Sequence, residues 1–279
     1  AGAPRNFSAA GLTITARATT RIAAGDYSVR MLEENNSPEI DELTAAVNRL
    51  AESLSENDAL RKRLTADIAH ELRTPLASLQ GYVEAFQDNV WQPDQKNLNT
   101  CHAEILRVNR LIESLEQLAN LEDGSLPLQK TDFDLKELAD EIALSFKSAS
   151  HKKDIRIDVS GDDVQIFADR DKLGQVLVNL VSNSLRHTAP GGRITIGVTR
   201  SAARVHVEVA DNGEGIAPEH LPYIFERFYR ADTSRSKQSG GGGIGLAIVR
   251  AIANMHGGSV SVDSTPGRGS RFTVGLPPD

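Results

Sequence analysis

Asn179-Leu180-Val181-Ser182-Asn183-Ser184-Leu185-Arg186-His187-Thr188 is the stretch from which the fold is read most directly. Leu173, Val176, Leu177 and Leu180 recur at helical spacing and give one apolar face to a helix over Asp171 to Leu185. Asn179, Asn183 and Arg186 recur four and three apart, which gathers two amides and a guanidinium on one face. An amide oxygen is a hard ligand, suited to a Mg²⁺ ion that keeps most of its waters and binds phosphates as well. Two such amides amid apolar residues need partners wherever they are buried.

Outward from this helix, helical and strand-like runs alternate. Helices are expected over Leu135 to Phe146 and Ile244 to Met255. Strands are expected over Ile155 to Val159, Val164 to Phe167, Ile194 to Thr199, Val205 to Val209, Ser259 to Val262 and Ser270 to Leu276. The pattern predicts an α/β sandwich over residues 130–279. The strand ending at Val209 runs into Asp211-Asn212-Gly213-Glu214-Gly215-Ile216. A carboxylate at a strand end can accept from the amino group of adenine, and the two glycines let backbone close over a flat base. Gly240-Gly241-Gly242-Gly243-Ile244-Gly245 leads straight into an apolar helix, whose unpaired N–H groups and dipole would face an anion. Between Asp211 and Gly245 lies a long stretch rich in Gly, Ser and charge, the length and texture of a lid or a binding loop.

The first half is helical. Leu43, Val47, Leu50 and Leu54 make a coiled-coil seam that needs a partner. From about residue 55 to 125 a long hairpin is expected, turning at Trp91-Gln92-Pro93-Asp94. Its second arm carries Leu98, Cys101, Ile105, Val108, Ile112 and Leu115 as a stripe, so Cys101, the sole cysteine, reads as core packing. On the first arm stands Asp67-Ile68-Ala69-His70-Glu71-Leu72-Arg73-Thr74-Pro75-Leu76. Ile68 and Leu72 face the core, whereas His70 and Thr74 share the outward face one turn apart. Glu71 can take the proton from one ring nitrogen and leave the other as nucleophile, the arrangement needed for attack on phosphorus. Pro75 has no N–H for the Glu71 carbonyl, so the helix can bend there.

Lys and Arg number 31 against 38 Asp and Glu, a net charge of −7, which gives no electrostatic reason to seek nucleic acid or anionic lipid. One cysteine excludes an internal disulfide and a multi-cysteine metal site. No apolar run approaches the roughly 18 residues of a membrane span.

Taken in order and spacing, these motifs resemble the sensor histidine kinases of two-component signalling. Asp67 to Leu76 looks like their phosphoacceptor H box and Asn179 to Thr188 like the N box. Asp211 to Gly215 resembles the G1 box, Phe225-Glu226-Arg227-Phe228-Tyr229-Arg230 the F box and Gly241 to Leu246 the G2 box. The resemblance implies a dimeric four-helix-bundle hairpin (residues 55–125) followed by a Bergerat-type ATP-binding domain (residues 130–279), with ATP and Mg²⁺ as ligands. His70 would be the phosphorylated residue, Glu71 its base, and Thr74 would position a water that dephosphorylates the partner. Asn183 would hold Mg²⁺ with Asn179 nearby, Arg186 and Arg230 would contact phosphates, His187 would lie against adenine and Asp211 would read it. Gly213, Gly215, Ile216, Phe225, Gly241, Gly243, Gly245 and Leu246 would line the same nucleotide site. Residues 1–54 resemble a HAMP signal relay with Gly25-Asp26 at its connector, although Pro38 stands where an Asp usually precedes Glu39, and Asp41 replaces a common Gly. In the G2 box Gly242 stands where Ser or Thr is frequent. The implied partners are a second copy of the chain and a response regulator, with this portion on the cytoplasmic side of a bacterial inner membrane. The competing expectations are an ATPase of the same fold that couples hydrolysis to motion, and a non-enzymatic adaptor.

Overall fold

Two helices open the chain, α1 (Phe7–Ala23) and α2 (Pro38–Gln87), followed by α3 (Gln95–Glu122). The computed structural model describes residues 7–31, 38–122, 127–201, 203–231 and 243–278. The chain divides into two compact units, Ala1–His70 and Glu71–Asp279.

In the first unit α1 stops at a connector where Gly25 has φ +91°, a left-handed conformation that costs glycine little. Asp26 accepts from the Ser28 hydroxyl and from Arg21, which together hold its carboxyl below the usual range. Farther on, Asn48 pins the connector to α2. Its Oδ1 accepts the Met31 N–H at 2.8 Å and its Nδ2 donates to the Met31 carbonyl at 2.9 Å. Ala18, Ile22, Met31, Val47 and Ala51 form the small core. The expected seam is therefore split: Val47 is buried within the chain, whereas Leu43 and Leu50 are 39% and 54% exposed.

The two helical segments expected on either side of residue 54 are one 50-residue helix, since nothing from Leu43 to Thr74 breaks it and α2 continues through Pro75. The hairpin turn falls where expected. Asp94 accepts the Asn97 N–H at 2.8 Å as an N-cap, and Trp91 stacks on Tyr82 with ring centroids 5.2 Å apart. The stripe on α3 needs correcting. Leu98, Ile105 and Ile112 are exposed and Cys101 is only half-buried, while the fully covered face carries Leu111, Leu118 and Leu121. Those three leucines belong to the same core as the helices of the C-terminal sheet.

After the hairpin come β1 (Lys130–Asp134), α4 (Leu135–Ser145), α5 (Lys147–Lys152), β2 (Arg156–Gly161), β3 (Gln165–Asp169) and α6 (Arg170–His187). They are followed by β4 (Arg193–Arg200), β5 (Val205–Asp211), α7 (Gly245–Met255), β6 (Ser259–Thr265) and β7 (Gly269–Leu276). The main sheet has the order β2-β4-β5-β7-β6, with β2 parallel to β4 and the other pairs antiparallel. β1 and α5 had no counterpart in the expected elements. β1 pairs with β3 in a separate two-stranded ribbon. Alternate residues Ile194, Ile196, Val198, Val205, Val207 and Val209 point to one side and are fully buried beneath α4 and α6, while α7 packs on β6 and β7. Each such side chain contributes about 1.5–3 kcal/mol when removed from water. The result is a two-layer α/β sandwich whose α6 and α7 lie side by side.

Candidate functional site

α6 starts at an Asp169 N-cap and buries Leu173, Val176, Leu177, Leu180, Val181 and Ser184 in the core. That choice of face leaves Asn179, Asn183 and Arg186 on the side expected from their spacing, all half-buried. The Asn179 Nδ2 is buried without a hydrogen-bond partner among the described residues. Directly beside it begins α7, for a Cβ added at Gly245 would lie 3.5 Å from Asn179 Oδ1. Ile244 gives no side-chain cap, so among the described residues no cap side chain takes up the first N–H groups of α7. At the preceding position Gly243 has φ +68°, its carbonyl accepts the Phe228 N–H at 2.9 Å, and a side chain there would collide with Phe228 backbone. The F-box segment is thus tied to the start of α7, and Arg230 follows with its Nη2 buried and without a hydrogen-bond partner among the described residues. Gly241 lies outside the described residues.

Asp211 closes β5 at the far end of α6. Its Oδ2 accepts the Ser184 hydroxyl at 3.0 Å, and its Oδ1 accepts the N–H of Gly213 at 2.9 Å and of Ser270 at 3.3 Å. The G1 loop then folds over the end of α6: Glu214 N–H donates to the His187 carbonyl, and a Cβ at Gly213 would strike that carbonyl. Gly215, with φ +71°, packs against the Thr265 carbonyl, and Ser264 Oγ accepts the Ile216 N–H at 2.8 Å. His187 is exposed, with Nδ1 2.6 Å from Glu214 Oε1. Phe225 sits edge-on to Phe272 of β7, and Leu246 is half-buried against the same core. Ser184, Ser264 and Ser270 fix this end of the site and were not singled out from the sequence. The clue for Ser184 was its place on the apolar face of α6.

Electrostatically the site is rich in donors. Burial lowers the proton affinity of Arg186, and the neighbouring Arg230 and Arg110 add to that effect. Burial does the same for Arg230, opposed by Glu71. Unpaired amide and guanidinium donors beside an uncapped helix start are what a polyphosphate would satisfy. No cluster of three or more His, Cys, Asp or Glu is placed to hold a metal among the described residues. Asn183 is half-buried on this face, and an amide oxygen is a hard donor of the kind Mg²⁺ accepts beside phosphate and water. A depression of about 680 Å³ on α4 is lined by Asp134, Glu137, Asp140 and Asp163, and its charge is wrong for a phosphate.

In the hairpin His70 and Thr74 are both exposed and Glu71 is half-buried, in keeping with their spacing on α2. His70 belongs to the first compact unit and Glu71 to the second.

Three families match the chain: HAMP domain over residues 10–56, His Kinase A (phospho-acceptor) domain over 60–124, and Histidine kinase-, DNA gyrase B-, and HSP90-like ATPase over 168–279. The signal transduction histidine-protein kinase BaeS of Escherichia coli (strain K12) is 36% identical over 260 residues, 93% of this chain and 56% of BaeS. The chain spans about half the length of the curated relatives it matches. Among solved structures, the histidine kinase ThkA in complex with response regulator protein TrrA superposes with a TM-score of 0.66 at 27% identity, covering 81% of this chain and 64% of that one. ShkA in complex with AMPPNP gives a TM-score of 0.56 at 26% identity over 77% of this chain and 45% of that one. An H-box helix, an α/β sandwich with its N, G1, F and G2 elements drawn together, and these likenesses make the chain a member of the sensor histidine kinases of two-component signalling.

Proposed function

We propose that the chain binds MgATP in its α/β sandwich, transfers the γ-phosphoryl group to His70, and passes it on to an aspartate of a response regulator. The observation that carries this reading is the convergence of unsatisfied donors, Asn179 Nδ2, Arg230 Nη2 and the start of α7, opposite a carboxylate already oriented by three hydrogen bonds. Asp211 accepts from the adenine amino group, Gly213, Gly215 and Ile216 shape the wall behind it, and His187 covers the base. Asn179, Arg186, Arg230, Gly243, Gly245 and Leu246 surround the phosphates, and Phe225 lines the same site. Asn183 holds Mg²⁺, which when bound neutralises phosphate charge. His70 attacks through one ring nitrogen while Glu71 takes the proton from the other. Thr74 orients a water toward the phosphorylated regulator in the reverse, dephosphorylating role.

The same reading divides the chain into a HAMP-like relay (1–54), a dimerisation and phosphotransfer hairpin (55–125) and a catalytic domain (130–279). It pairs two copies through the exposed stripe of Leu98, Ile105 and Ile112, burying apolar surface that one hairpin leaves in water. No helix among the described residues is long and apolar enough to cross a membrane. We place this portion on the cytoplasmic side of a membrane-anchored whole. The support for a regulator as partner is the ThkA–TrrA complex, and for nucleotide the AMPPNP-bound ShkA. Incubation with γ-labelled ATP tests the reading: label should join the chain only when Mg²⁺ is present, and label that stays in solution would sink it.

A further inference from the structure

Arg107 and Arg110 on α3 belong to no motif, yet each acts electrostatically on an arginine assigned above to the phosphates. Gln117 of α3 accepts the Gln175 Nε2–H of α6 at 2.6 Å, and Leu111, Leu118 and Leu121 anchor α3 in the core shared with α7. Arg110 stands seven residues before Gln117 and Arg186 eleven after Gln175, about 10 and 16 Å of helix from that hydrogen bond. Electrostatically, Arg186 senses Arg230 and Arg110, while Arg230 senses Glu71 and Arg107. Four guanidinium groups thus share one neighbourhood.

Among the described residues their donors are mostly unspent. Arg107 pairs with Glu104 at 3.0 Å, and Arg110 gives its Nε–H to the Leu106 carbonyl, while the buried Arg230 Nη2 has no partner among the described residues. Glu104 pairs with Arg107 and Glu71 acts on Arg230 from a distance, while among the described residues none of Arg110, Arg186 and Arg230 has a carboxylate at ion-pair distance. Like charges held together at partial burial are costly unless an anion joins them. A phosphoryl group, with two negative charges and three acceptor oxygens, is an anion that such guanidinium groups bind in forked geometry.

We propose that Arg107 and Arg110 of α3 complete, with Arg186 and Arg230, a phosphoryl-binding site that holds the γ-phosphoryl group during its transfer. The inference rests on the kinase reading above and adds two residues to it. In the step concerned, the bond from the γ-phosphorus to its bridging oxygen breaks with the electron pair leaving on ADP. A ring nitrogen of His70 supplies the pair for the new P–N bond, and the imidazole proton passes to Glu71. Charge spreads over the equatorial oxygens meanwhile, and fixed guanidinium groups stabilise it most at that moment. Because ADP is held by other residues, the arginines act on rate more than on nucleotide affinity.

The test uses the whole 279-residue chain. Arg107→Gln and Arg110→Gln should each lower the rate of labelling at saturating MgATP about tenfold to a hundredfold, with the KM for ATP changed less than about threefold. Arg107→Lys and Arg110→Lys keep charge and stem but lose the fork, so they should recover part of the rate. If the Gln variants melt early, the Lys variants carry the test, with a loss of at least about threefold expected. Wild-type rates in the folded variants, or a raised KM with unchanged kcat, would overturn the proposal. No label on the unsubstituted chain would instead be a failure of the kinase reading itself.

Discussion

Asp211→Asn separates recognition of the base from support of the fold. A carboxylate offers about four lone-pair sites. Three are taken, by Ser184 Oγ on Oδ2 and by the N–H groups of Gly213 and Ser270 on Oδ1, so Oδ2 keeps one for a ligand donor. In the Asn variant the amide oxygen will stay with the two backbone N–H groups, because reversing it would set donor against donor twice. The new Nδ2 then replaces Oδ2, where Ser184 can turn to accept from it but an adenine amino group meets another donor. A hydrogen bond to a charged group is worth about 1.5–3 kcal/mol, and its replacement by a clash of donors places the loss at the upper end. The expected result is an affinity for ATP lowered by about a hundredfold or more, with a melting temperature within a few degrees of wild type. Titration calorimetry with ATP and thermal melts on the same preparation check both. ATP binding within threefold of wild type would refute the assignment of Asp211, as would a collapse in stability that accounts for the loss.

Thr74→Ala should largely keep autophosphorylation yet slow dephosphorylation of the phosphorylated regulator by about tenfold to a thousandfold, the scale of one positioning group; equal loss of both rates would remove Thr74 from the site. Light scattering at micromolar concentration should give about twice the 30.2 kDa chain mass, and Ile105→Asp on the exposed stripe should shift it toward the monomer. His256 is buried, accepts the Asp169 N–H on Nε2 at 3.2 Å and donates from Nδ1 to Ile252, and burial pushes its pKa below the ordinary 6.5. The unfolded chain therefore takes up this proton first, so its contribution to stability is full above about pH 6.5 and is lost as pH falls toward the folded pKa. Melts from pH 7.5 to 5 should show a decline that His256→Gln flattens.

Much of this architecture is legible in the sequence because local pattern and tertiary burial agree. The α6 face, the strand running into Asp211 and the start of α7 all fall where the sequence pattern puts them. Misses have physical causes. Residues 52–57, Glu-Ser-Leu-Ser-Glu-Asn, hold no Gly or Pro, so a division of labour at 54 leaves no mark on the backbone of α2. β1, Lys-Thr-Asp-Phe-Asp, is too polar to alternate, and its pairing with β3 is a contact some 35 residues away in sequence. Ser184 reads as a small residue on an apolar face until Asp211 arrives from 27 positions on. On α3 an ordinary apolar stripe and the docked face are both of leucine type, and only three-dimensional packing decides which one the same chain covers.

The central claim is that His70 itself receives the phosphoryl group. It is tested most directly by incubating the wild-type chain and His70→Ala with γ-labelled ATP and Mg²⁺, then treating the labelled protein with acid and with base. A phosphoramidate on the wild type will be lost in acid and survive base, while His70→Ala binds ATP and remains unlabelled. Acid-stable label, or labelling of His70→Ala to the wild-type extent, would contradict the account.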